Sequence, residues 1–283
     1  MDLDHPTNSQ SQASLRAYFL TLFRAYGHQH WWPARSRFEV IVGAYLTQNT
    51  AWTNVELAMR QLRAARVLSV QGIRRTRLPR LEKLVRSAGY FRQKAQRLKL
   101  FVKFLDRNYG GSLARMFRQP TAELRLQLLA LNGIGPETAD AILLYAGSHP
   151  VFVVDSYTRR ILERHGILPA NAEYEEIRQL FEIALLPLAE SFPDFVSASS
   201  PLESAGLAGS SQPPSLMSAA RRTAQAQVFN EMHGLIVGVG KNFCHKSAPH
   251  CERCPLRPFL QHDGDLAASI QGSDSASDAS LHL

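Results

Sequence analysis

The sequence predicts an all-α protein, and two observations carry that prediction. Apolar residues recur every three to four positions over long stretches, which is the pattern of an amphipathic helix. Convincing strand patterns are absent, since the apolar run Val151–Val154 is short and isolated. Because 45% of the 283 residues are hydrophobic, we expect most of the chain to fold, as one large or two modest domains.

Ten predicted helices follow one another along the chain. The first two are separated at Trp31-Trp32-Pro33, because a proline disfavours helical backbone in the residue before it. The ten helices span residues 15–26, 38–46, 55–68, 78–88, 90–107, 121–130, 137–147, 156–165, 174–186 and 225–239.

Three segments lack helical periodicity. Residues 1–13 are polar, and residues 191–222 and 263–283 are rich in small and polar residues. Segments of this composition bury too little apolar surface to offset the entropy lost on folding. We therefore predict a disordered N-terminus, a disordered insertion between two helices and a disordered tail.

The charge balance predicts a polyanionic partner. Thirty-two Lys and Arg against 24 Asp and Glu give a net charge of +8, and each neutralised phosphate releases counterions. Between Arg60 and Arg107, fifteen basic residues are accompanied only by the acids Glu82 and Asp106. This excess fits a solvated helical face or a nucleic-acid surface, and interleaved aromatic residues such as Tyr90 favour the second.

The sequence predicts neither a membrane span nor a secretion signal. No stretch reaches the roughly 18 apolar residues that a span needs, and the polar residues at the start contain no apolar core. All three cysteines lie between Cys244 and Cys254. Such crowding is typical of a metal or cluster site in a reducing compartment and not of a disulfide framework.

The segment Leu131–Asp140 has the pattern of a helix–hairpin–helix. Gly133 and Gly135 permit a tight turn with positive φ, and Pro136 fits the first turn of the helix that follows. Amides around the two glycines can then meet a phosphate at a helix N-terminus, a contact that positions the protein without reading sequence. A plain helix–turn–helix connection is the alternative.

One aspartate stands out beyond the hairpin. Asp155 lies eighteen residues after Glu137, directly follows the apolar run and begins a predicted helix. By itself this position indicates an N-cap. Together with the hairpin, it makes Asp155 a candidate for a functional carboxylate.

The hairpin, the spaced Asp155 and the C-terminal cysteines together resemble the endonuclease III superfamily of helix–hairpin–helix DNA glycosylases, over about residues 15–190 and 225–260. The resemblance implies two helical lobes flanking a DNA-binding cleft. A six-helix domain at residues 34–147 would contain the hairpin, and residues 14–33 and 150–262 would form the second lobe. It also implies a monomeric bacterial enzyme, cytoplasmic and nucleoid-associated, that acts on double-stranded DNA containing a damaged base.

The resemblance assigns catalysis to Asp155. In the family the matching carboxylate stabilises positive charge on the deoxyribose as the base leaves, and helps to orient or activate the attacking water. Bifunctional relatives place a Schiff-base lysine where this chain has Glu137, and a glutamate cannot form an imine. We therefore predict a monofunctional glycosylase that leaves an abasic site, without efficient AP lyase activity.

The three tryptophans narrow the class of base that the enzyme is expected to remove. Trp31, Trp32 and Trp52 lie close together in the sequence, and packing in the core is one explanation for them. With Pro33 and Glu137 they are also similar to the base pocket of the endonuclease-III-type 3-methyladenine DNA glycosylases, whose aromatic rings sandwich the flipped base. N3-methylated adenine is a cation, which gains about 1–2 kcal/mol between desolvated aromatic faces.

Further DNA contacts follow from the same resemblance. Gln48 matches the residue that fills the gap left by the extruded base, and Asn49 would lie at the pocket edge. A polar helix cap is the alternative for Gln48. The hairpin residues implied in DNA contact are Gly133, Ile134, Gly135 and Thr138.

The cysteines depart from the family at one position. Cys244, Cys251 and Cys254 match three ligands of its [4Fe–4S] loop, but Leu260 stands where the fourth cysteine belongs, so a four-cysteine cluster is excluded. A metal-free loop, a labile three-cysteine cluster and a histidine as fourth ligand to iron or zinc stay open. The candidate histidines are His245, His250 and His262. The glycosylase chemistry requires no cofactor.

Two other functions remain open at this point. A mismatch glycosylase that removes adenine or thymine would also lack the lysine. A non-catalytic helix–hairpin–helix DNA-binding protein would keep the fold, but phosphate binding alone does not require a carboxylate at Asp155. The sequence carries no RNA-binding signature.

Overall fold

The computed structural model describes residues 9–198 and 215–260. Within them the backbone forms twelve α-helices and no strand, which confirms the all-α prediction. Each of the ten predicted helices is present, and a π-helical segment, Ile142–Gly147, continues α9. The helices are α1 (Ser9–Tyr26), α2 (Arg37–Thr47), α3 (Trp52–Ala64), α4 (Val70–Arg75), α5 (Leu78–Leu84), α6 (Phe91–Tyr109), α7 (Leu113–Met116), α8 (Thr121–Leu129), α9 (Pro136–Ala141), α10 (Ser156–Arg164), α11 (Tyr174–Ala198) and α12 (Ala224–Asn242).

The predictions of disorder are wrong for parts of two segments. Residues 9–13 form the first turns of α1, because their Gln and Ala are good helix formers extending a packed helix. Residues 191–198 continue α11. Ser215 and Met217 hydrogen-bond to the backbone of Ala34, which orders the end of the insertion. Residues 1–8, 199–214 and 263–283 of the predicted disordered segments lie outside the described residues.

The described residues group into two compact units. Residues 32–153 and 215–226 form one, which we call the hairpin unit. Residues 9–31, 154–198 and 227–260 form the other, the aspartate unit. Residues 215–226 therefore group with the hairpin unit, whereas the domain boundaries predicted from the sequence assigned them to the second lobe. The division falls between Trp31 and Trp32.

The hairpin unit is built around α2. Ser36 caps this helix by accepting a hydrogen bond from the Glu39 N–H, and every residue from Phe38 to Leu46 is buried. The helix packs against α3, α6, α9 and the π-helical segment. A helix buried on all sides serves as a rigid centre to which the surrounding loops are attached.

The aspartate unit combines an amphipathic pair of helices with a buried one. α1 packs on α11 through its apolar stripe, which includes Leu15, Phe19 and Leu22. α12 is buried continuously from Val228 to Gly240. The described part of the chain contains no helix that could span a membrane.

One buried carboxylate fixes the chain that precedes Trp31. Glu231 of α12 accepts hydrogen bonds from the Gln29 N–H (2.8 Å) and from His28 Nδ1 (2.9 Å). The bond to Glu231 raises the pKa of His28. Burial of Glu231 is thus balanced by donors from the segment that leads to the candidate site.

Candidate active site

Asp155 is the N-cap of α10 and has a fixed side chain. Its Oδ1 accepts hydrogen bonds from the Thr158 N–H (2.8 Å) and the Thr158 hydroxyl (2.9 Å). The Asp155 N–H donates in turn to Thr158 Oγ1, which completes a capping box. The side chain is 14% exposed, and the helix N-terminus stabilises negative charge there. The structure therefore holds one carboxylate oxygen in place and leaves part of the group accessible.

A buried histidine faces the other oxygen of this carboxylate. His233 of α12 places its Nε2 3.6 Å from Asp155 Oδ2, within the aspartate unit. Burial lowers the pKa of His233, and the nearby Asp155 charge opposes that effect. Sequence reasoning missed this residue. The available signal was an imidazole followed by the apolar run from Leu235 to Val237 on a predicted helix.

Trp31 lies in the same unit, beside His233 and Lys241. The centroids of the Trp31 and His233 rings are 6.4 Å apart, and the Lys241 Nζ lies 5.5 Å from the Trp31 ring centroid. The sequence predicted that this indole receives a cationic base. In the structure a cation of the protein already lies over the ring.

Trp32 and Trp52 are brought together in the hairpin unit. Trp32 is 8% exposed and packs against Tyr145 and Gly43, where a Cβ would be 3.1 Å from the indole. Trp52 is half-buried, edge-on to Trp32 at 5.3 Å, and its Nε1 donates to Glu56 Oε1 (2.8 Å). Core packing therefore accounts for Trp32, while Trp52 offers the more accessible ring beside a carboxylate that sequence reasoning missed.

The two hairpin glycines differ in their backbone. Gly133 has φ +81°, a backbone conformation that favours glycine, and a Cβ there would also displace the Arg97 side chain. Gly135 has φ −94° and extended backbone, so the predicted positive φ is wrong for it. It is the N-cap of α9, with Pro136 in the first turn as predicted. A Cβ at Gly135 would meet nothing within 4 Å, which leaves its amide open to close approach.

Gln48 joins the end of α2 to this hairpin. Its Nε2 donates to the Gly133 carbonyl and to Thr138 Oγ1, each at 2.9 Å, and its Oε1 accepts from Arg97 Nη1 (2.9 Å). Ile134 and Thr138 are buried. The predicted insertion of Gln48 into DNA would require it to leave these partners, which in the structure set the position of the hairpin.

Lys94 fastens two neighbouring loops to one another. It is 1% exposed, and its Nζ donates to the carbonyls of Leu46, Gln48 and Ala88 and to Thr50 Oγ1, at 2.6–2.9 Å. Burial lowers the pKa of Lys94 to about 8. This lysine was counted in the basic surface, but it lies inside the unit.

The fastened loops present residues with strained backbone. Asn49 (φ 50°) and Tyr90 (φ 43°) have left-handed backbone, and the Tyr90 side chain is 68% exposed. Sites that hold such conformations are often functional. Pro33 and Glu137 are also exposed in this unit, Glu137 in the first turn of α9.

The three cysteines border one narrow cavity in the aspartate unit. Cys244 Sγ accepts a hydrogen bond from Arg164 Nη1 (3.1 Å), and Leu260 lines the same cavity. Burial raises the pKa of Cys251 and, to about 11, that of Cys254. Metal ligation needs thiolates, and Leu260 offers no donor. The residues present therefore do not fit a cluster held by four thiolates.

Two of the candidate histidine ligands, His245 and His250, neighbour the cysteines in the sequence but do not line this cavity. The rings of His245 and His250 contact each other with centroids 5.2 Å apart. His262 lies outside the described residues. Among the residues that are described, no three His, Cys, Asp or Glu side chains are arranged to hold a metal ion.

Comparisons with known proteins agree on one family. The family model described as HhH-GPD superfamily base excision DNA repair protein matches residues 42–185. The protein MJ1434 of Methanocaldococcus jannaschii, which bears the name of a DNA repair glycosylase, is 39% identical over 83% of this chain and 90% of its own length.

Two solved structures are similar over most of the chain. One is the 3-methyladenine DNA glycosylase MagIII of H. pylori bound to 1,N6-ethenoadenine, with a TM-score of 0.64 and 28% identity over 82% of this chain and 97% of that one. The other is a trapped covalent complex of endonuclease III with DNA, with a TM-score of 0.64 and 19% identity over 91% of this chain and 98% of that one. The second likeness establishes the fold.

Proposed function

This chain belongs to the HhH-GPD superfamily of base excision DNA repair proteins, and we propose that it is a monofunctional DNA glycosylase for alkylated purines such as 3-methyladenine. Membership of this family makes the chain a DNA glycosylase of base excision repair. The narrower proposal concerns which base it removes and what it leaves behind. The product is an abasic site in double-stranded DNA.

The observation that carries the proposal is the capped carboxylate of Asp155. Cleavage of the bond between C1′ and the base places positive charge on the deoxyribose, and a fixed anion stabilises that charge without reorganising. The bonding electrons leave with the base, and a water oxygen adds to C1′ and loses a proton. Because the Asp155 Oδ1 is held by Thr158, the carboxylate needs no rearrangement before this step.

The absence of lyase activity rests on Glu137. A β-lyase needs an amine that forms an imine with the opened sugar, and this position at the start of α9 carries a carboxylate. Hydrolysis by water therefore completes the reaction. A base that is already a good leaving group suits this reaction, because its departure does not depend on a strong general acid.

A cationic purine satisfies that requirement. N3-methyladenine leaves as a neutral molecule, so its charge replaces the acid. The partly exposed ring of Trp52 and the carboxylate of Glu56 beside it suit a flat cation. The structural relative from H. pylori is a 3-methyladenine glycosylase, which supports the same class of substrate for this chain.

A panel of duplex oligonucleotides tests the proposal. Each duplex carries one lesion: 3-methyladenine, 1,N6-ethenoadenine, a T:G mismatch or an A:G mismatch. We expect release of the alkylated purine and no protein–DNA adduct after borohydride reduction. Release only from a mismatch would refute the substrate, and a trapped adduct would refute the monofunctional assignment.

A further inference from the structure

A buried histidine of α12 lies beside Asp155. α12 is buried from Val228 to Gly240, and His233 is 4% exposed within that stretch. An imidazole in such a place loses its hydration, which costs free energy that an apolar residue would not. The charge of Asp155 also exceeds what its position at the helix end requires, since an uncharged Asn or Ser caps a helix equally well.

We infer that His233 is a positioning residue that holds the catalytic carboxylate of Asp155 in its working orientation. The inference rests on the function proposed above, in which Asp155 stabilises the charge on the sugar. His233 does not touch substrate in this account. It acts through Asp155.

The division of labour between the two carboxylate oxygens supports this role. Oδ1 is fixed by the backbone and hydroxyl of Thr158, at 2.8 and 2.9 Å. Rotation about the Cβ–Cγ bond moves both oxygens together, so a second contact at Oδ2 restrains the same torsion from the other side. His233 Nε2 faces Oδ2 at 3.6 Å, so a movement of roughly half an ångström closes a hydrogen bond, and no water fits between the two atoms.

The imidazole suits this task because it is uncharged. Burial lowers the pKa of His233, and among the described charged groups Asp155 is the one whose field acts against that shift. The Trp31 ring, which faces His233 from the segment after α1, carries no charge. A neutral N–H orients the carboxylate and leaves its negative charge available for the sugar.

Three variants test the role by single-turnover base release with saturating enzyme. His233→Leu removes the donor, His233→Gln keeps an N–H near the position of Nε2, and His165→Leu removes a buried imidazole of the same unit that bonds to Tyr18. We expect His233→Leu to slow base release by about tenfold or more, because small misplacements of a catalytic group are costly. His233→Gln should recover most of the rate, and His165→Leu should keep it.

Duplex affinity should be the same in all three variants. The inference is overturned if His233→Leu is no slower than His165→Leu, or if His233→Gln is as slow as His233→Leu. The first result would show that the donor is not needed, and the second that loss of packing, and not loss of the donor, sets the rate.

A second readout separates this inference from the proposed function. Imidazole titration by NMR in the full chain compares the wild type with Asp155→Asn, and His233→Gln identifies the resonance. We expect the pKa of His233 to fall further when the Asp155 charge, which opposes the effect of burial, is removed. An unchanged pKa would refute the pairing even in an active enzyme. If the wild type releases no base from any lesion, the proposed function fails, while the titration still decides whether the two residues are coupled.

Discussion

The two glycines of the hairpin offer a matched pair of substitutions with opposite expected effects. Gly133→Ala forces an L-residue into φ +81°, which costs about 1–2 kcal/mol. The new Cβ also clashes with the Arg97 side chain, so Arg97 must move, which disrupts its hydrogen bond to Gln48. A charged hydrogen bond of this kind contributes about 1.5–3 kcal/mol. We therefore expect Gly133→Ala to lower the free energy of unfolding by about 2.5–5 kcal/mol.

Gly135→Ala should leave that free energy nearly unchanged. Its φ of −94° suits alanine, and a Cβ meets nothing within 4 Å. The loss of a glycine N-cap and the reduced entropy of the unfolded chain act in opposite directions and are each below about 1 kcal/mol. The methyl group would instead obstruct a phosphate at the amide. We expect duplex binding to weaken by about tenfold, the value of one lost hydrogen bond to a charged group.

Urea unfolding and fluorescence anisotropy with a lesion-free duplex measure the two effects. The salt dependence of binding by Gly135→Ala should match the wild type, because a backbone amide displaces no counterion as a lysine does. A Gly135→Ala variant that is stable and binds duplex like the wild type would refute the phosphate contact. A stable Gly133→Ala variant would refute the strain argument.

Three further predictions concern single side chains. Lys94→Met should lower the free energy of unfolding by about 1–3 kcal/mol, because buried carbonyls lose their donor. The control is Lys103→Met, at an exposed position on the same helix. Equal effects of the two substitutions on unfolding would contradict a role of Lys94 in holding the loops together. Tyr90→Ala should weaken duplex binding by about fivefold or more through lost base stacking, whereas Leu126→Ala, equally exposed on α8, should not; anisotropy decides between them. Burial lowers the folded-state pKa of His165 to about 4. Between about pH 4 and about pH 6.5 the unfolded chain therefore binds more protons than the folded one. The free energy of unfolding should fall by up to about 3 kcal/mol as the pH drops through that range. Denaturant unfolding should lose this pH dependence in His165→Leu.

The sequence predicted the elements whose pattern is long or chemically distinctive. Ten helices followed from apolar periodicity, and Gly133, Pro136 and Asp155 lie at the hairpin, first-turn and N-cap positions assigned to them. α4 and α7 were missed because six and four residues are too few for a period to be read. Local patterns therefore sufficed for local structure.

Local sequence patterns did not predict which polar side chains are buried. Lys94 was counted as part of a basic surface, yet carbonyls from two loops surround it. His233 and Asp155 are far apart in sequence, and only the fold brings them within 3.6 Å. Trp32 illustrates the reverse case, because a residue expected to line the pocket is largely used in packing. Such outcomes depend on tertiary contacts that no local pattern encodes.

Asp155→Asn examines the catalytic carboxylate with little disturbance of the fold. Asparagine is as good an N-cap as aspartate, so its side-chain oxygen should keep both bonds from Thr158. The substitution removes the charge alone. Thermal unfolding of the variant, compared with the wild type, verifies that the cap persists.

The rate of 3-methyladenine release by Asp155→Asn, in a single turnover on duplex DNA, tests the account most directly. If the fixed charge stabilises the sugar cation, the variant should be slower than the wild type by about 100-fold to 1,000-fold, with its duplex affinity retained. Release at the wild-type rate would contradict the account.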